Sequence, residues 1–276
     1  MFATGPLGPE EPTRLQGMMD RLRHRGPDGQ GRHVDRENGL AMGHTRLTIN
    51  DLHTGDQPLS STDGRFILTV NGEFYDFKKY RSLAMAEGAR YRCKSDSEIA
   101  LTLYRKHGLD FMSHLRGEFA FALYDRDEDT LILARDRFGI RPLFYHLDGD
   151  RLTYGSEIKA LLAHPAIPAE IDPQAALNQL MQVMVPGTSL FKGIRALEPG
   201  RLLIVRRRKG RFEIHEHTYW DLDFPAAVDH EDPGEPQHHI ERIREKLIES
   251  IVLRLEADVP VGCYLSGGID SCCILG

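Results

Sequence analysis

Ser266-Gly267-Gly268-Ile269-Asp270-Ser271 sets a glycine pair between two hydroxyls, with a carboxylate close behind. Glycines at such a point let backbone N–H groups approach phosphate oxygens, and a helix starting there adds the positive end of its dipole. The alternative is a tight turn that uses glycine for positive φ and binds nothing. The flanking hydroxyls and Asp270 favour the anion cradle. Other chemistry-bearing residues are placed less usefully. His215, His217, His230, His238 and His239 straddle a polar stretch without HxxxH helical placement, so metal ligation is not expected there. Arg206-Arg207-Arg208-Lys209 lies between apolar 202–205 and Gly210, as a solvated hairpin turn would, and does not read as a nucleic-acid patch. Cys93, Cys263, Cys272 and Cys273 form neither a disulfide framework nor a CxxC pair.

A phosphate loop needs a strand before it and a helix after it. Residues 259–265 read as a buried strand running into Ser266, and Ile240, Ile243, Leu247, Ile251 and Leu255 mark one face of a helix upstream. Residues 221–239 are dense in Asp, Glu, Pro and His and read as a solvated linker, beyond which a new domain begins. Nearer the start, Leu15, Met18, Met19 and Leu22 recur at helical spacing until Gly26-Pro27-Asp28-Gly29 stops them. Strand-like runs occupy 66–70, 119–124, 130–134 and 151–154, and helical patterns interrupt them at 97–107 and 173–184. Strands that mostly follow one another, with helices between groups, predict packed antiparallel sheets flanked by helices, an α+β fold.

The charge balance of 35 basic against 41 acidic residues gives −6, so no basic field would attract nucleic acid or an anionic membrane. No basic and apolar leader opens the chain, no run approaches the ~18 apolar residues of a membrane span, and cysteine usage suits a reducing cytoplasm. Small molecules or proteins are the expected partners.

Five further motifs occur in order: Arg23-His24-Arg25-Gly26-Pro27-Asp28-Gly29, His44-Thr45-Arg46-Leu47, Val70-Asn71-Gly72-Glu73-Phe74-Tyr75, Ser95-Asp96-Ser97-Glu98, and Arg135-Asp136-Arg137-Phe138-Gly139-Ile140-Arg141-Pro142-Leu143. Together they resemble the class II glutamine amidotransferase domain. With the Ser266–Ser271 loop, which resembles that of ATP pyrophosphatases, the chain is similar to glutamine-hydrolysing asparagine synthetases. The resemblance implies an N-terminal-nucleophile αββα sandwich of antiparallel sheets over residues 1–222, a linker at 223–239, and the truncated start of an α/β ATP-binding synthetase domain at 240–276. It implies that Arg46 holds the α-carboxylate of glutamine, Asp96 its ammonium, and Asn71 and Gly72 the oxyanion, with Glu73 beside them. Leu265, Ser266, Gly267, Gly268, Asp270 and Ser271 would touch ATP, Asp270 lying near Mg2+. The substrates implied are glutamine, aspartate and ATP, and a homodimer is compatible with the family.

The family's nucleophile is a cysteine exposed as residue one; here Met1 is followed by Phe2. The resemblance implies a missing first strand and a missing nucleophile, so a fragment that does not hydrolyse glutamine is expected. A relative that has lost glutaminase activity, as in the β-lactam synthetase branch, is the other explanation, and it is disfavoured because Arg46, Asn71, Gly72 and Asp96 persist together. The functional expectation is asparagine synthesis with ammonia drawn from glutamine. The alternatives are an amidating or cyclising synthetase acting on another carboxylate, and an inactive glutamine-binding module.

Overall fold

The structure, a computed structural model, describes residues 1–224, 226 and 235–276. The chain divides into two compact units, residues 1–48 with 53–221, and residues 49–52 with 222–276. In chain order the first contains β1 (Phe2–Ala3), α1 (Glu11–Asp20), β2 (Gly29–Asp35), β3 (Leu40–Arg46), β4 (Leu59–Ser60), β5 (Phe66–Tyr75), α2 (Phe77–Ala86), α3 (Ile99–His107), β6 (Arg116–Asp125) and β7 (Thr130–Arg135). There follow β8 (Phe144–Asp148), β9 (Arg151–Gly155), α4 (Ile158–Leu161), α5 (Pro173–Leu180), β10 (Ile194–Ala196), β11 (Arg201–Arg208) and β12 (Arg211–Thr218). They build two six-stranded antiparallel sheets, ordered β10-β8-β9-β1-β3-β2 and β12-β11-β7-β6-β5-β4.

Strand alternation decides the layers. On β6, Phe119, Phe121 and Leu123 pack with Phe111 and with Ile99 and Leu103 of α3, while Ala120, Ala122 and Tyr124 join Phe2, Leu40 and Met42 in the core between the sheets. On β3, Ala41 faces the other way and meets Leu15, Met18 and Met19 of α1. Each sheet therefore buries one face against the other sheet and the opposite face against helices, the αββα arrangement. The long apolar runs of β6 and β7 are buried on both faces for this reason.

Phe2–Ala3 holds a central position, pairing with Leu40 of β3 and with Leu152 and Arg151 of β9. Phe2 is fully buried, its ring 5.6 Å from Tyr124 and 5.2 Å from Phe212. Burying such a side chain is worth ~1.5–3 kcal/mol, enough to seat a two-residue strand. The Met1 amine donates to Ala41 O at 2.6 Å, and burial pushes its pKa down to about 5. Nearby, the buried Glu11 carboxylate accepts from Arg14 at 2.6 Å, Arg151 at 3.1 Å and His164 at 3.2 Å, tying α1 to β9 and to the turn after α4. Burial opposes ionisation of Glu11, but the hydrogen bonds from His164 and Arg14 outweigh it and hold the carboxyl below its ordinary value.

One expected helix ends early and one expected strand does not form. The helical pattern over 173–184 stops at Leu180, and Gln182 takes φ +58°. The second unit contains α6 (Pro236–Arg254), which covers the predicted helical face from Ile240 to Ile251, leaves Leu255 just past its end and takes in the last residues of the expected linker, and α7 (Ile269–Leu275). Residues 259–265 form no strand, and Val261, Tyr264 and Leu265 are exposed. This corrects the buried-strand expectation: a parallel strand needs partners along its edges, and among the described residues no strand pairs with these. The Asp258 carboxylate and N–H are instead tied to Asp51 N at 2.8 Å and Ile49 O at 3.0 Å. The Arg206–Lys209 run does form the end of a hairpin, with Arg208 opposite Arg211, although Arg207 is drawn inward onto Asp129 at 2.7 Å. His215 and His217 lie on β12, His238 and His239 open α6, and His230 falls outside the described residues. Among the described residues no helix is long and apolar enough to cross a membrane.

The two sheets are also joined by a polar bond, from His44 Nε2 on β3 to Val70 O on β5 at 3.1 Å. Neutral imidazole with its proton on Nε2 makes this bond, and burial pushes the His44 pKa down to about 4 against the favourable bond to Val70. Unfolded His44 therefore binds a proton between pH 6.5 and 4 that the folded ring refuses, and stability must fall as pH falls through that window. Urea denaturation should show a His44 contribution of about 2 kcal/mol lost between pH 7 and pH 5. A His44→Gln variant, which keeps an N–H donor, should lose less over the same interval; the slope that remains belongs to groups such as His33 and His164, also held below their ordinary values by burial.

Candidate functional site

Arg46 ends β3 and Asn71, Gly72 and Glu73 sit in the middle of β5, so the expected glutamine residues are divided between the two sheets. Met42 lies in the core between the sheets, and by strand alternation His44 and Arg46 project from the same face of β3. Ile67 lies in that core as well, whereas Val70 and Phe74 pack towards the helices, so the Asn71 side chain also points between the sheets. Arg46 and Asn71 thus enter one space from opposite walls, at the end marked by the His44–Val70 bond.

The Arg46 guanidinium is largely covered, its side chain 11% exposed, and it meets Asp56 at 2.9 Å, whose side chain is 83% exposed. An ion pair to such a solvated carboxylate holds weakly. The Gly26-Pro27-Asp28 run braces the same strand end. Asp28 N–H donates to Arg46 O at 3.0 Å and the Asp28 carboxylate accepts from Thr48 N at 2.8 Å. Gly26 lies so close that a Cβ there would stand 2.3 Å from the Thr45 carbonyl carbon.

On β5 the Asn71 Nδ2 is sealed from solvent and makes no hydrogen bond among the described residues. A buried donor left so costs ~1–3 kcal/mol unless an acceptor reaches it. Gly72 beside it has φ +134°, and a Cβ would stand 1.9 Å from Glu118 O on β6, so this position demands glycine twice over. Glu73 lies opposite Glu118 in the register. Asp96, in the 3-10 turn Asp96–Glu98, is buried and accepts from Phe74 N at 2.7 Å and from Ser95 Oγ at 3.2 Å. Burial raises its pKa against those bonds. The structure therefore gathers Asp96 to the same stretch of β5 as Asn71 and Gly72, with one oxygen committed to the strand itself.

In the remaining motifs several charged side chains brace backbone. The buried Asp136 carboxylate accepts from the N–H groups of Phe138, Ile140 and Arg141 at 3.0, 3.1 and 3.0 Å, and the Arg135 guanidinium caps the carbonyls of Gly139, Arg141 and Leu197. Glu98 accepts from Arg92 N at 2.8 Å and Cys93 N at 2.9 Å, closing the turn before Asp96. Sequence reasoning left His44 and Gln57 without roles, though His44 stands in a quoted motif. The signal for Gln57 was Pro58 next to it, which cannot continue a strand ladder.

The second unit holds residues 265–271, all outside any strand. Gly267 takes φ +80°, Ser266 Oγ lies 3.0 Å from Ser271 Oγ and accepts from Gly268 N at 3.3 Å, and Asp270 falls in the first turn of α7. Hydroxyl and N–H donors suit phosphate oxygens in kind. A single carboxylate suits Mg2+, which is commonly held by one or two carboxylates together with phosphates. Among the described residues no group of three His, Cys, Asp or Glu is arranged to hold a metal.

A Gly72→Ala chain should unfold more readily by about 3 kcal/mol in urea, because the added methyl meets a strand carbonyl and the backbone conformation disfavours any side chain.

Residues 4–220 match the family model of the glutamine amidotransferase domain, and residues 242–276 match that of asparagine synthase. Among curated proteins the chain is similar to amidase chry2 of Gibberella zeae, 39% identical over 95% of this chain and 38% of that one. It is also similar to glutamine-hydrolyzing asparagine synthetase 2 of Bacillus subtilis, 35% identical over 94% of this chain and 35% of that one. The chain thus spans less than two-fifths of the length of these curated relatives. Among solved structures it resembles the allosteric regulatory enzyme of purine biosynthesis, with a TM-score of 0.57 at 20% identity, covering 76% of this chain and 47% of that one. Glutamine phosphoribosylpyrophosphate amidotransferase of Bacillus subtilis gives a TM-score of 0.53 with the same identity and coverage. These likenesses speak to the N-terminal-nucleophile fold. The chain belongs to the glutamine amidotransferase domain family, with the start of an asparagine synthase domain after it, the arrangement of glutamine-hydrolysing asparagine synthetases.

Proposed function

We propose that this chain is the glutamine-binding part of an ATP-dependent ligase that draws amide nitrogen from glutamine, with asparagine synthesis as the reaction. The observation that carries the reading is the buried, unpartnered Asn71 Nδ2 beside Gly72, on the wall facing Arg46. In this reading Arg46 exchanges its solvated partner Asp56 for the α-carboxylate of glutamine, a fork-to-fork pairing. Asp96 offers its other oxygen to the ammonium, and Glu73 lines the same stretch. Asn71 Nδ2 and Gly72 N–H receive the carboxamide oxygen and would stabilise the charge that develops on it during attack.

The same residues supply no nucleophile. Cys93 is buried, with its thiol on Glu98 at 3.0 Å, so the chain as it stands would hold glutamine without cleaving it. We divide it into an amidotransferase domain at 1–222, a linker at 223–239 and a synthetase segment at 240–276, in a cytoplasmic enzyme. There ATP with Mg2+ would activate the acceptor carboxylate, held by Leu265, Ser266, Gly267, Gly268 and Ser271 with Asp270 towards the ion. A second reading, amidation of a different carboxylate, is favoured by one observation: the amidases chry2 and chyE are 39% and 38% identical to the chain, against 35% for the asparagine synthetase.

Calorimetric titration tests the pocket. Arg46→Ala should weaken glutamine binding about 10- to 100-fold, the loss of a charge-assisted contact of ~1.5–3 kcal/mol, and weaken L-norvaline equally, since that amino acid shares the carboxylate. Unchanged affinity for both would place the carboxylate clamp elsewhere.

A further inference from the structure

Strand β4 pairs Leu59 with Leu68 and Ser60 with Ile67 of β5, and continuing that register would set residue 57 opposite Val70. Pro58 has no N–H with which to extend the ladder. The Gln57 side chain takes over: its Oε1 accepts from Val70 N at 2.6 Å and its Nε2 donates to Val70 O at 3.2 Å, so a carboxamide imitates the missing backbone partner. The same Val70 O receives His44 Nε2 at 3.1 Å, filling both of its lone-pair positions. Gln57 is itself fixed from below, because Gly31 of β2 lies so close that a Cβ there would stand 2.0 Å from Gln57 O.

Asn71 and Gly72 follow Val70 directly, past the point where β4 has ended, so they lie on an edge of the sheet with no strand among the described residues to hold it. Two side-chain acceptors bracket them: Gln57 takes the Val70 N–H before them and Asp96 takes the Phe74 N–H after them. Strand residues present their N–H and C=O groups alternately to the two edges, so Val70, Gly72 and Phe74 share one edge. Without Gln57 that edge would fray at Val70, and the Asn71 amide and the Gly72 N–H would lose their common aim.

We infer that Gln57 is a positioning residue for the carboxamide-binding donors, acting through the backbone of Val70. The inference rests on the glutamine pocket proposed above. It concerns the carboxamide end of the ligand alone, since Arg46 stands on the other sheet.

L-Norvaline has the α-carboxylate and ammonium of glutamine but a methyl group in place of the carboxamide, so the pair of ligands reads the two ends separately. By calorimetry, the unsubstituted chain should prefer glutamine. Gln57→Leu should lower glutamine affinity about tenfold while norvaline affinity stays within about twofold, so that the preference disappears. Should Gln57→Leu fail to fold, Gln57→Glu keeps an acceptor for Val70 N and nearly the same volume, and should erode the preference in the same direction. A fall in both affinities together, or a preference that survives both substitutions, would overturn the positioning role while leaving the pocket intact. An unsubstituted chain without a preference for glutamine would instead sink the pocket, and the role of Gln57 with it.

Discussion

The bonds that converge on the Val70 backbone hold together the parts of this fold on which the candidate site depends. His44 reaches Val70 O from one sheet, and Gln57 grips its N–H and C=O from the loop before β4. The inter-sheet core is apolar and makes no demand for one exact offset between the sheets beyond shape. A directional bond to the buried Val70 carbonyl adds that demand, since leaving such a group unmade costs more than the bond contributes when formed. Arg46 and Asn71 stand two residues and one residue away from its two ends, so their separation follows from it.

The same logic applies to the motif residues outside the pocket. Asp136, Arg135, Glu98 and Asp28 place charged groups on backbone N–H and C=O atoms of neighbouring turns. Charge-assisted bonds of this kind are stronger than neutral ones and can hold a loop without a strand partner. The site residues are few, and the turns beside them are held through backbone atoms.

The asparagine synthase segment lacks such support. Its helix α6 keeps Ile240, Ile243 and Leu247 exposed, and among the described residues the run before Ser266 has no strand to pair with. Local propensity suffices to form α6 and the turn at Gly267, because helices and turns satisfy their own backbone groups. A parallel strand cannot do so, which is why the expected element over 259–265 is irregular here.

Apolar patterning in the sequence determined the faces of α1 and α6, the strand character of β6 and β7, and the α+β class. Motif order, through the resemblance to class II amidotransferases, pointed to Arg46, Asn71, Gly72 and Asp96, residue types that carry their chemistry in their side chains or in the need for glycine. Tertiary structure alone decided that Phe2–Ala3 would sit at the centre of a sheet, since two residues hold no period, and their place comes from Leu40, Leu152, Tyr124 and Phe212. It alone decided the service of Gln57 and His44 to Val70, a bond between residues 13 and 26 positions apart that no local pattern encodes. Sequence patterns record which groups must be buried or turned, whereas the partner that each buried polar group meets depends on how two sheets close on one another.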